Sequence, residues 1–393
     1  MNLLSRLKSV TFSNLSLLVV VLGAVSNFVL ILFLKKYLPD TFNVYSLYLT
    51  YLAIIVSFGL IGFDQVLLRL STIEKDLVVV PKDIFVFILL SGLISPVAIG
   101  YYFSHHFEGL PFGLLLLSGI AINSMIMAYN VLRLKKNFVV SQLFQNGYKI
   151  AFLLFVVLLF LLYPLTTENI VAVSTLIVCL FSVSALYNLF RNLKISNNKT
   201  VSLFNFFLSF SLNMALLTLL SYGERILIVN ELGEDAFGQY FYYATVFLFP
   251  LTLIQYYVGF KELVFFKEKR DTKMLHDKLK KIFLGGILLV GCVFLVVWID
   301  NGTFLSIDII ENLWLVILLS ILGITKLVYG LFSALLGAIA KYQDVYVINL
   351  LTAGLMAGIL VALFSYGVTL NSVVLSLILI FAARSTYIYL KYV

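Results

Sequence analysis

Charge is what this chain has least of. Asp, Glu, Lys and Arg make up 12% of its 393 residues, about half the share in a soluble globular domain, which excludes a water-exposed enzyme or binding module of ordinary surface. Its two cysteines, Cys179 and Cys292, both stand in apolar runs, so neither a disulfide framework nor a thiolate metal site is expected. Histidine occurs three times. The one metal-like grouping, His105, His106 and Glu108, reads as solvated side chains in a short loop. No Gly-x-x-x-x-Gly-Lys-Ser/Thr loop occurs, so nothing points to ATP hydrolysis. No cofactor or metal is expected.

Hydrophobicity fills the space that charge leaves. Apolar residues make up 62% of the chain and its mean hydropathy is +1.07, which predicts a polytopic all-α membrane protein. At about 20 residues per bilayer crossing, the apolar runs give twelve spans. They lie near residues 15–34, 44–63, 84–103, 112–132, 140–162 and 170–190, then near 203–229, 237–260, 282–299, 313–338, 345–366 and 372–390. Six fall in a lobe over 1–198 and six in a lobe over 199–393. The first run is followed by Lys35 and Lys36 instead of a small-residue cleavage site, so it is kept as a helix and not a signal peptide.

Basic residues set the orientation. All 27 Lys and Arg except Lys35, Lys36, Lys149, Arg225, Lys326 and Arg384 fall in the two termini and the even-numbered loops. The odd-numbered loops from the third onward are acidic or neutral. By the positive-inside rule both termini are then cytoplasmic, and the net charge of +8 is a topology signal, with no call for a nucleic-acid partner. The eighth loop, 261–281, interleaves its bases with Glu262, Glu268, Asp271 and Asp277 around apolar Leu263, Phe265, Phe266, Met274 and Leu279. That pattern fits a short interfacial helix on anionic membrane lipids.

Four of the excepted bases lie inside spans, where each charge costs roughly 3 kcal/mol and therefore raises a functional hypothesis. Lys149 is about 13 Å into the fifth span at 1.5 Å per residue and shares a helical face with Gln142, Gln145 and Asn146. Such a polar stripe does not suit lipid. Lys326 is similarly central, with Tyr329 and Ser333 on its face, and Arg225 shares a face with Thr218 and Ser221. Arg384 lies near the end of the last span, where it can snorkel. Against these stand two acids, Glu224 and Asp64. The interior is net cationic, which suits an anionic cargo bound by Lys149, Arg225, Lys326 and Arg384, with Gln142, Gln145, Asn146, Asn123, Asn130 and Tyr329 available to neutral groups such as sugars. Glu224 and Asp64 are candidates for ion coupling. The plainer alternative is that Glu224 and Arg225 form an ion pair that only fixes helix depth.

The halves echo each other. Leu38-Pro39-Asp40-Thr41-Phe42-Asn43-Val44-Tyr45 aligns with Leu232-Gly233-Glu234-Asp235-Ala236-Phe237-Gly238-Gln239-Tyr240 once Asp235 is taken as an insertion. Each motif lies between the first two spans of its half. Six is an even number of crossings, so the two bundles form a parallel repeat with a cavity expected between them.

These motifs, together with Gly62-Phe63-Asp64-Gln65-Val66-Leu67-Leu68-Arg69 and Glu224-Arg225, resemble the polysaccharide branch of the MATE-like exporters, the Wzx-type O-antigen and capsule flippases. Pro39 and Asn43 replace glycines usual in that family, and Glu224 stands where Asp is more familiar. The resemblance implies a two-lobed transporter and not an enzyme. Its implied cargo is an undecaprenyl-pyrophosphate-linked oligosaccharide, moved to the outer leaflet of a bacterial cytoplasmic membrane. A polysaccharide polymerase and a chain-length regulator are the protein partners it suggests. A drug exporter of the same fold would carry more acids in its lining. A membrane-embedded polymerase would show a long external loop with catalytic residues.

Overall fold

The computed structural model describes residues 3–163, 165–197, 203–268, 272–300, 302–303, 305, 307–340 and 342–393. It is all-α, 87% helical, and among the described residues eleven helices are long and apolar enough to cross a membrane. The sequence predicts twelve. The difference lies at the seventh and eighth spans, which fall in one continuous helical stretch, Ser211–Gln255. Its backbone leaves helical geometry at Gly233, with φ 87° and ψ 174°, a conformation open to glycine because it has no Cβ. The stretch is thus two helices meeting at the glycine of the second aligned motif.

The chain forms two compact units, Met1–Leu34 with Leu38–Tyr222, and Lys35–Tyr37 with Gly223–Val393. The lobe boundary expected at 198/199 lies among residues 198–202, outside the described residues.

The first unit holds α1 (Leu3–Tyr37, apart from its last three residues), α2 (Pro39–Phe58), α3 (Phe63–Leu70), α4 (Lys82–His106), α5 (Phe112–Leu134), α6 (Phe138–Gln142), α7 (Tyr148–Leu162), α8 (Thr167–Asn192) and α9 (Leu203–Thr218). α5 is its centre, packing on α2, α3, α4, α6 and α8. Close approach is possible because α5 presents Ser118, Gly119, Ala121 and Ala128 to its neighbours, and small residues drive helix association where lipid removes the hydrophobic incentive. A Cβ at Gly119 would run into the Tyr51 hydroxyl and stand 2.7 Å from Pro96 Cβ.

Two local features of this unit depart from the sequence reading. The second span ends at Phe58, short of residue 63, because Ile61 (φ 50°) and Gly62 (φ 81°) turn the chain into α3. The second loop contains a hairpin, β1 (Thr72–Glu74) and β2 (Leu77–Pro81), and β2 pairs in parallel with β3 (Leu193–Ser196). Val78, Val79 and Val80 are buried.

The second unit holds α10 (Glu224–Glu268), α11 (Thr272–Asp300), α12 (Leu313–Ile339), α13 (Tyr342–Tyr366) and α14 (Leu370–Tyr392). The eighth loop is largely helical, since α10 runs to Glu268 and α11 starts at Thr272. α12 is the core, with 61% of its span buried, whereas α11 has only 11% and α13 22%. Those two present apolar side chains such as Leu284, Leu288, Leu350 and Val361 outward, where hydrocarbon solvates them as well as a protein core would.

Candidate functional site

The polar interior of the first unit is mostly neutral, and among the described residues Ser71 Oγ, Asn123 Oδ1 and Thr218 Oγ1 are buried without a hydrogen-bond partner. Tyr45, Tyr48 and Tyr51 recur every three residues along α2 and are fully buried. Their hydroxyls meet Ser174 at 3.2 Å, Thr175 at 3.2 Å and the Leu115 carbonyl at 2.6 Å. Asn123, a candidate sugar-binding amide, donates to the Gly59 and Gly92 carbonyls and to Ser95 Oγ. Its amide knits α5 to α4 and the end of α2, and Asn130 is likewise buried.

The stripe around Lys149 is partly assembled as expected. Asn146 Nδ2 donates to Gln142 Oε1 at 2.9 Å and Lys149 Nζ donates to Asn146 Oδ1 at 3.2 Å. Lys149 is half-buried, with its ammonium 5.7 Å from the Tyr148 ring centre. Gln145 is also half-buried, but its side chain makes no hydrogen bond among the described residues. Residues 143–147 form a π turn between α6 and α7, a distortion frequent at functional sites. Periodicity alone does not reveal it.

A second π turn, 219–223, immediately precedes Glu224. From there the second unit builds a charged cluster. Glu224 is buried; its Oε1 accepts from the Tyr240 hydroxyl at 3.4 Å and lies 3.8 Å from Arg225 Nε. Its Oε2 has no hydrogen-bond partner among the described residues. The Arg225 guanidinium stands 4.9 Å above the Phe241 ring. Lys326, half-buried on α12, interacts electrostatically with both Glu224 and Arg225 and has its ammonium 5.3 Å from the Phe381 ring centre. Two bases therefore act on one carboxylate.

Arg384 does not snorkel. It is 4% exposed inside the second unit, donating from Nη1 to Thr352 Oγ1 and from Nη2 to Asn349 Oδ1, each at 3.1 Å, with the Tyr329 ring 5.6 Å from its Cζ. The sequence reading missed Asn349 and Thr352; their spacing of three in an otherwise apolar span was the available signal. Asp64, outside the eleven candidate spans, is held by Gln65 Nε2 at 2.8 Å, and burial pushes its carboxyl above the usual carboxylate range. His105 and His106 stack on Tyr101 and Tyr102 one turn earlier in α4.

No family model, curated protein or solved structure matches this chain.

Proposed function

We propose that this protein is a lipid-linked oligosaccharide flippase, with twelve spans arranged as two parallel six-helix bundles and both termini in the cytoplasm. Its cargo is an undecaprenyl-pyrophosphate-linked repeat unit, delivered to the outer leaflet of a bacterial cytoplasmic membrane for O-antigen or capsule assembly. The observation that carries this reading is the pairing of two bases with a single carboxylate in an apolar helical unit: Arg225 Nε lies 3.8 Å from Glu224, and Lys326 interacts electrostatically with both. A pyrophosphate supplies the missing negative charge, and Arg grips it in bidentate fashion while Lys acts as a point charge. Within the first unit, Lys149 with Gln142 and Asn146 offers a base and amides of its own.

The unbonded Glu224 Oε2 favours one second reading, an ion-coupled exporter of small molecules in which that oxygen receives a proton or sodium ion. Export assays in cells lacking their own copy of the gene separate the two. Arg225→Ala should abolish surface polysaccharide at normal membrane abundance and Arg225→Lys should retain part of it, since losing a charge-assisted contact costs about 1.5–3 kcal/mol, roughly 10- to 150-fold in affinity. The double change Glu224→Gln with Arg225→Ala removes the stranded carboxylate. Restored surface polysaccharide in that double variant would refute Arg225 as a cargo ligand.

A further inference from the structure

Arg384 presents a problem that the cluster around Glu224 does not. A buried cation is costly unless it is paired, yet the acceptors that meet its two terminal nitrogens are neutral, Asn349 and Thr352. Both of those nitrogens are engaged, Nε has no hydrogen-bond partner among the described residues, and the group is 4% exposed, so its enclosure suits internal support better than a ligand that exchanges.

What Arg384 supports follows from the rings beside it. Its guanidinium lies over Tyr329 at 5.6 Å; Tyr329 packs on Phe381 with ring centres 5.2 Å apart; and Phe381 carries the Lys326 ammonium at 5.3 Å. The four side chains alternate between α14 and α12, cation, ring, ring, cation. A Lys side chain has a flexible four-carbon stem and no fixed fork, so the direction of its ammonium depends on what lies beneath it. From this sequence of contacts we infer that Arg384 is a positioning residue, which acts through Tyr329 and Phe381 to hold the Lys326 ammonium in place.

The link to cargo rests on the flippase reading, whereas the positioning itself does not, and one set of purified full-length variants separates the two. Reductive 13C-methylation of Lys326, identified by its loss in Lys326→Arg, gives an NMR resonance shielded by the Phe381 ring. Phe381→Leu should move that resonance toward the position of solvent-exposed lysines, and so should Arg384→Met and Tyr329→Leu. If Arg384→Met fails to reach the membrane, Arg384→Lys, which keeps the charge but loses the fork, should give an intermediate shift. An unmoved resonance in Tyr329→Leu and in either Arg384 variant would overturn the inference.

Binding of inorganic pyrophosphate then tests the link. Arg384→Met and Lys326→Met should each weaken binding about tenfold or more. The double variant should be no weaker than Lys326→Met alone, because a residue that acts through another gives non-additive losses. Additive losses would make Arg384 a direct ligand and overturn the positioning role. No binding by the unaltered protein, together with a shifted resonance in the variants, would count against the proposed cargo and leave Lys326 positioning intact.

Discussion

Tyr45 and Tyr240 occupy the same place in the two aligned motifs, and they serve different ends. Both are 1% exposed, both follow a buried phenylalanine, Phe42 or Phe237, and both lie just inside a helix that begins beside a turn, at Pro39 or after Gly233. Tyr45 spends its hydroxyl on Ser174, a neutral partner. Tyr240 gives the same group to Glu224, a carboxylate that also lies near Arg225 and interacts electrostatically with Lys326. The shared residues are buried alike; the partner opposite decides whether the hydroxyl holds helices together or sits at a charged centre.

The strongest way to break this contrast is steric. Gly119→Val would drive a side chain into the Tyr51 hydroxyl and Pro96, and overpacking at so close a contact should cost about 3 kcal/mol or more. Thermal unfolding in detergent should show the loss, and a midpoint near that of the unaltered protein would mean that the α5 contact is loose.

The tyrosines themselves come next. Tyr240→Phe takes from Glu224 the hydroxyl that donates to its Oε1 and should cost about 1.5–3 kcal/mol, as bonds to charged groups do, with export falling too. Tyr45→Phe removes a neutral bond and should cost only about 0.5–1.5 kcal/mol, with export unchanged. Equal effects of the two changes on export would erase the distinction between a packing tyrosine and a site tyrosine.

The smallest effect concerns Asp64. Burial raises its carboxyl above the range of an unfolded chain, so the folded state binds the proton more tightly. Its stabilising contribution is therefore complete below the unfolded value near 3.9 and is lost as pH rises through the folded value. Asp64→Asn should flatten that acid-side dependence of the thermal midpoint while leaving the neutral-pH midpoint level or higher. An unchanged pH profile would show that the carboxyl is solvated.

Much of the molecule is legible without coordinates, and particular residues show where that ends. The apolar runs mark all eleven span-length helices found among the described residues, because each crossing must satisfy its backbone internally. Gly233 marks the joint in the longest, since its conformation is a property of one residue. Gln142, Asn146 and Lys149 fall on one face by periodicity and are joined by hydrogen bonds. The hairpin over 72–81 is not legible in this way: its turn uses Lys75 and Asp76 at positive φ with no glycine, and its third strand comes from residues more than a hundred positions away.

The sequence by itself determined that this protein is a bundle of membrane-length helices with a few costly charges inside, because hydropathy and the expense of burying charge are properties of single residues and short windows. The tertiary structure decided what each charge does. Arg384 and Lys326 look alike as isolated bases in apolar spans, yet one is enclosed by Asn349, Thr352 and Tyr329 while the other shares a carboxylate with Arg225. That difference depends on which helix packs opposite, and packing is set by side-chain volumes and close contacts that no local pattern records.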